Sequence, residues 1–279
     1  MSEQNKSKAD AELHGLEDNR EEYEDTGIVP RDQGRILVPS SLELKPGSLD
    51  KYVISKQIVR MKEPRILSPE DLEERRIIYP ESTDRVAVNR FRELRTRLLQ
   101  LSAGNNFSLV VSSAVEGGGA SFIALNLAAA FAFDHTKTAL IIDCNLREPS
   151  LHSMLDLTPD MGLTDFLEDA DMDIATIIYP TGIKRLRLIP AGSRRESAAE
   201  FFTSFRMRQF LHAIRRRYPD RFVIIDAPSI TDSPDARILS DLCDYTLLVL
   251  PHARVTEGQA LRAASAVSPE KLAGVVINN

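Results

Sequence analysis

The residues with chemistry to offer are Gly117, Gly118, Gly119, Ser121, Asp143 and Asp226. The three glycines interrupt an apolar run, VVSSAVEGGGASFIALNLAAA (110–130), which reads as a strand, a tight turn and a helix. Successive backbone N–H groups in such a turn, followed by the positive end of a helix dipole, attract phosphate without help from side chains. The spacing approaches G-x-x-x-x-G-K-[ST], with Gly119 as the last glycine and Ser121 as the hydroxyl that helps hold Mg²⁺. Two positions depart from it: Ala114 stands for the first glycine and Ala120 for the lysine. That lysine normally reaches the outer phosphates and offsets charge as the terminal phosphoryl leaves, so alanine is expected to harm catalysis more than binding. A glycine-rich strand-to-helix turn with no ligand is the competing reading of this stretch on its own.

Asp143 and Asp226 each end an apolar run, KTALIIDCN (137–145) and RFVIIDAPS (221–229). Both runs are too apolar to alternate, as expected for strands of a parallel sheet covered on both faces. A carboxylate at such a strand end faces phosphates across the loop, although it could also cap the helix that follows. Other runs complete the pattern. DRVAVNRFRELRTRLLQL (84–101) sets Val88, Phe91, Leu94, Leu98 and Leu101 at helical spacing. FSLVVSS (107–113), KRLRLIPAG (184–192), DYTLLVLP (244–251) and KLAGVVINN (271–279) read as strands. Between 151 and 179 the pattern suggests three short helices, and 197–218 one long one. Strand and helix alternate, which predicts an α/β, doubly wound, mainly parallel sheet with helices on both faces and its ligand at the carboxyl ends of the strands.

Length and composition fit one such domain with an N-terminal extension: 279 residues, 43% of them hydrophobic. Residues 1–50 read as a disordered acidic tail, 51–83 as a loosely structured arm and 84–279 as the domain. The formal net charge is −6, and residues 1–25 alone carry nine acids against three bases. The remainder is therefore balanced, which argues against general nucleic-acid affinity. Cys144 and Cys243 lack metal or redox spacing and read as reduced thiols. The sequence shows no leader and no apolar run near the roughly 20 residues of a membrane span, so a cytoplasmic protein is expected.

The order FRELRTRL (91–98), SSAVEGGGAS (112–121), NLAAAFA (126–132), LIIDCNLREPSLH (140–152), GLTDFL (162–167), LRLIPAG (186–192), VIIDAP (223–228) and GVVIN (274–278) resembles the bacterial tyrosine kinases of capsule and exopolysaccharide loci. This is the BY-kinase or CpsD/CapB group within the MinD and ParA class of P-loop NTPases. The resemblance implies ATP or ADP with Mg²⁺ as cofactor and a Walker A loop holding it through Gly117, Gly118, Gly119, Ala120 and Ser121. It implies that Asp143 is the first aspartate of the A′ motif and Asp226 the Walker B aspartate, both in the catalytic centre and, with Ser121, around the metal. Arg147 matches the A′ arginine, Asn278 the position that recognises the adenine edge, and Arg92 and Arg95 the basic helix that contacts a neighbouring protomer.

The departures run together. Besides Ala120, the second A′ aspartate is Asn145, the helix glutamate is Asn89, and no tyrosine follows Tyr245, so the family's tyrosine-rich tail is expected to be absent. The leading expectation is a catalytically impaired relative that binds or regulates a membrane-bound polysaccharide co-polymerase or a kinase paralogue. Self-association is expected to be weak, and the membrane is reached only through that partner. The alternatives are an active tyrosine kinase with a compensated Walker A, and a MinD/ParA-like positioning ATPase using Arg215, Arg216 and Arg217 on DNA or lipid. Against the last stand two points: these arginines also suit a helix C-terminus, and the first lysine of such ATPases, expected near Val115, is missing.

Overall fold

The computed structural model describes residues 63–195, 198–217 and 221–279. The expectations for residues 1–50 and for the first part of the arm lie outside the described residues. The elements follow in chain order. Helices α1 (Pro69–Glu74) and α2 (Arg85–Leu101) precede β1 (Ser108–Ser113), α3 (Ala120–Ala132) and β2 (Thr138–Asp143). Next come α4 (Leu151–Met154), α5 (Leu163–Glu168), a 3₁₀ turn (Ile174–Ile177), β3 (Tyr179–Pro180) and β4 (Leu186–Ile189). The chain continues through α6 (Ala199–Thr203), α7 (Phe205–Arg217), β5 (Arg221–Asp226), α8 (Pro234–Leu242), β6 (Tyr245–Pro251), α9 (Glu257–Ser265) and β7 (Leu272–Asn278).

The strands form one seven-stranded sheet in the order β3-β4-β2-β5-β1-β6-β7, parallel except for the short β3. Alternate strand residues feed two separate apolar cores. Leu109, Val111, Ala139, Ile141, Phe222 and Ile224 face the core beneath α2 and α3. Val110, Leu140, Ile142, Val223 and Ile225 face the other, built with Phe202, Phe210, Leu239 and Ala263 from α6 to α9. Two buried faces explain why the strands read as continuous apolar runs. Four rings, Phe107, Phe131, Phe222 and Tyr245, pack edge-on or tilted around the amino end of β1, with centroids 4.4–5.7 Å apart.

Two expectations about elements need correction. Residues 63–83, assigned to the loose arm, belong to the packed domain: Leu67, Leu72, Ile77 and Ile78 join the core under α2 and α3. Buried Asn126, a polar residue in the apolar helix α3, accepts a hydrogen bond from the Ile78 backbone N–H at 2.8 Å. Its own amide donates to the Phe122 carbonyl at 3.1 Å. The Leu67 N–H donates to the Gly182 carbonyl at 3.0 Å, and Glu63 forms an ion pair with Arg187 of β4. The second correction concerns 197–218, where the expected single helix is two. Ser204 adopts an extended backbone, and its hydroxyl accepts from the Met207 N–H at 3.0 Å, starting α7 afresh.

Candidate functional site

Strands β2 and β5 are neighbours, and their register sets Asp143 directly beside Asp226. Both side chains are fully buried. Three backbone N–H groups donate to Asp143: Asn145 to Oδ1 at 3.2 Å, and Ser150 and Leu151 to Oδ2 at 3.1 Å each. Asp143 thus folds the following segment around itself. Burial pushes its carboxyl up to about 6 against those hydrogen bonds. Neither oxygen of Asp226 has a hydrogen-bond partner among the described residues. Burial, then the charge of Asp143, raise its pKa well above the usual carboxylate range, and only the nearby Ser121 hydroxyl opposes them. An orphaned buried carboxylate beside a second one is a place for a cation.

The glycine loop arches between these acids and β6. Gly118 is required because a Cβ there would lie 2.6 Å from the Ser113 Cβ and 2.9 Å from the Val115 carbonyl oxygen. Gly119 has φ 87° and is the N-cap of α3, with no side chain capping the helix. A helix start without a side-chain cap leaves its first N–H groups for a ligand. Any Cβ at Gly119 would collide with the Asn278 amide. Ala114 is fully buried, and its N–H donates to the Val249 carbonyl at 3.0 Å. Segment 227–233 braces the loop from the other side. Ser112 Oγ donates to the Pro228 carbonyl at 2.5 Å, Thr231 Oγ1 to the Ala114 carbonyl at 2.7 Å, and the Ile230 N–H to the Ser113 carbonyl at 3.0 Å.

An open cavity of about 1490 Å³ lies over this floor, lined by Gly117 to Ser121, the 145–150 segment, Arg194 and part of 227–233. Mg²⁺ with a nucleotide would fit the residues present: Asp226, buried next to the lining residue Ala227, its neighbour Asp143 and the Ser121 hydroxyl would form the cation side, and the uncapped start of α3 the phosphate side. Bound there, the metal would offset the charge of the outer phosphates. The lysine position is Ala120, at the start of α3, buried against the core and lining the cavity. Asn145, replacing the second A′ aspartate, accepts from the Glu148 N–H at 3.3 Å. Arg147 lines the cavity with its Nε 3.9 Å from the buried Asp235 carboxylate. Asn278 is not a lining residue: its amide donates to the Gly118 carbonyl at 3.2 Å, clasping the loop from outside.

Sequence reasoning missed two arginines at this edge. Arg194 follows β4 and lines the cavity, while Arg254 follows β6 and donates to the Gly117 carbonyl at 3.1 Å. Both stand just beyond the carboxyl end of a parallel strand, and that position is the signal that could have found them.

Arg92 and Arg95, expected to contact a neighbouring protomer, both make contacts within the domain. Arg95 donates to the Ala130 carbonyl at 2.8 Å, and Arg185 to the Ala132 carbonyl at 3.0 Å, so two cations cap the negative end of α3. The Arg92 guanidinium lies 5.6 Å from the ring centroid of Phe133. Helix α3 has no basic residue of its own in its last turn, which makes the borrowed caps worth keeping. Arg95→Ala is expected to lower stability by about 1–2 kcal/mol, read as a lower urea midpoint with unchanged nucleotide affinity. A purely intermolecular role would instead alter association and leave the midpoint where it was. Arg215 is likewise engaged within the domain, 3.3 Å from Asp244.

No family model matches the chain. Individual proteins do. Tyrosine-protein kinase YwqD of Bacillus subtilis is 31% identical over 192 residues, covering 67% of this chain and 79% of the relative. Tyrosine-protein kinase wzc of Salmonella typhi is 31% identical over 200 residues, covering 70% of this chain but 27% of that longer protein. The solved BceF tyrosine kinase domain aligns with a TM-score of 0.63 at 26% identity, over 82% of this chain and 89% of that domain. Among the described residues no helix is long and apolar enough to cross a membrane.

Proposed function

Because the chain belongs to the family of bacterial tyrosine-protein kinases, we propose that it is a member in which Mg²⁺–nucleotide binding has outlasted phosphoryl transfer. Its role in exopolysaccharide or capsule production is then that of a nucleotide-responsive component, acting on a membrane-bound polysaccharide co-polymerase or an active kinase paralogue. The observation that carries this reading is a braced phosphate cradle beside an unpartnered buried Asp226, with alanine where the loop's cation belongs. Binding draws on backbone N–H groups, which are intact. Transfer draws on cations that neutralise charge as it develops, and the loop has lost its own.

The chain's residues divide the work. Gly117 to Ser121 receive the phosphates, Asp226 and Ser121 face the metal, and Asp143 holds the 145–151 backbone in place by accepting its three N–H bonds. The cavity wall also carries the carboxylates of Glu116, Glu148 and Asp232. With that many acids, nucleotide binding is expected to depend on Mg²⁺. Fluorescent ATP and ADP analogues titrated with Mg²⁺ and with EDTA should show binding that weakens about tenfold or more on chelation. In parallel, γ-labelled ATP should leave no label on this chain's tyrosines. Labelled tyrosine at the rate of an active kinase would make the chain a working enzyme, and no binding of either nucleotide would end the nucleotide reading.

A further inference from the structure

The geometry points to Arg194 as the residue that supplies, from the opposite wall of the cavity, the cation missing at Ala120, gripping the terminal phosphate of a nucleoside triphosphate. The inference rests on the nucleotide-binding reading of the same cavity and adds which residue reads the ligand.

The cations around the cradle can be taken in turn. Arg254 is spent on the Gly117 carbonyl and does not line the cavity. Arg237 donates to the Ile230 carbonyl at 3.1 Å, bracing the segment beneath the loop. Arg147 faces the buried Asp235 carboxylate. Lys137 donates to Asn106 at the amino end of the sheet, far from the ligand edge. Arg194 lines the cavity, is exposed, and has no hydrogen bond or ion pair from its guanidinium among the described residues.

Its backbone, by contrast, is held. The neighbouring Arg195 N–H donates to the Leu146 carbonyl at 2.9 Å, and Thr164 Oγ1 donates to the Ser193 carbonyl at 3.2 Å. Arg195 itself is anchored to Glu168 at 2.6 Å, with its guanidinium 5.9 Å from the centroid of Phe201. A fixed backbone carrying an uncommitted guanidinium on a cavity wall is suited to meet an anion.

Sheet order says which part of the nucleotide it meets. From the glycine loop after β1, the edge runs through β5 with Asp226 and β2 with Asp143 to β4, after which Arg194 follows. Those two carboxylates would hold a metal beside the outer phosphates, which would put the far end of the phosphate chain on the β2 and β4 side of the loop. Arg194 stands at that far end. It should therefore distinguish triphosphate from diphosphate.

The test is a set of titrations of the full chain with Mg²⁺ and fluorescent ATP or ADP analogues. Arg194→Ala should weaken ATP about tenfold while moving ADP less than about threefold, and Arg194→Lys should keep most of the ATP affinity. The melting temperature without nucleotide should not change, since the guanidinium has no partner among the described residues to lose. Adding Ala120→Lys to Arg194→Ala should restore ATP binding, because the two cations serve one charge. Equal ATP affinity in the parent chain and Arg194→Ala would overturn the inference while leaving nucleotide binding standing, as would an equal loss for ATP and ADP. Absence of binding by the parent chain would overturn the site reading first, and this inference with it.

Discussion

Ala120→Lys should raise the affinity of the chain for Mg²⁺–ATP by about 10- to 100-fold. A charge-assisted hydrogen bond contributes about 1.5–3 kcal/mol, and about 1.4 kcal/mol is a factor of ten. The position tolerates the change. Ala120 opens α3 and lysine is nearly as good a helix former; the residue is buried against the core but also lines the cavity, so a lysine stem can run over apolar surface while its ammonium reaches the cavity. The loop around it needs no rebuilding, since Gly118 and Gly119 already form a tight turn into an uncapped helix start. The gain should be larger for ATP than for AMP, because the added ammonium meets only the outer phosphates. Calorimetric titration of the parent and the variant reads both numbers. An affinity for ATP that this lysine moves neither in the parent nor in Arg194→Ala would mean that the cradle receives no phosphate.

Asp226→Asn should stabilise the nucleotide-free protein at pH 8 relative to the parent, while abolishing Mg²⁺-dependent nucleotide binding. The sign follows from which form the fold prefers. Burial and the adjacent Asp143 raise the folded-state pKa of Asp226 above its unfolded value, and Asp143 itself is raised to about 6. A raised carboxylate lends its stability at low pH and loses it as pH climbs through the folded pKa. The variant has no such charge to bury. Its advantage over the parent should therefore be small near pH 4 and grow through pH 6 to 8, in chemical unfolding run at each pH. Millimolar Mg²⁺ should stabilise the parent at pH 8 and not the variant. A stability difference that stays flat with pH would show that Asp226 is not buried as a charge.

The elements around the site were legible because their signals are local. Apolar runs ending in Asp143 and Asp226 could only be inner strands, and the glycines between β1 and α3 could only be a tight turn. What escaped depends on contacts between distant residues. Leu67, Leu72, Ile77 and Ile78 follow no helical or strand period, and they are recognisable as core only once Asn126 is seen to hold the Ile78 backbone. The break at Ser204 is a single hydroxyl inside a stretch of good helix formers. Arg95 reads only as a contact with another protomer when α2 is taken alone, without the end of α3 lying against it. Arg194 belongs to no motif, and its position after β4 is its only signal. Its place in the cavity comes from β4 lying beside β2, which strand order in the sequence does not disclose.

The placement of β5 between β1 and β2 has a consequence for the chain while it is being made. The centre of the sheet cannot close until residues 221–226 have left the ribosome, more than a hundred residues after β1. Pairings so distant in sequence make folding slow and leave apolar strands uncovered in the meantime. The growing chain therefore carries bare edges on β1 and β2 until β5 emerges. Asp143 and Asp226 come together in that same late event, so an unfinished chain has no cation site, and nucleotide can select only polypeptides that have completed the sheet.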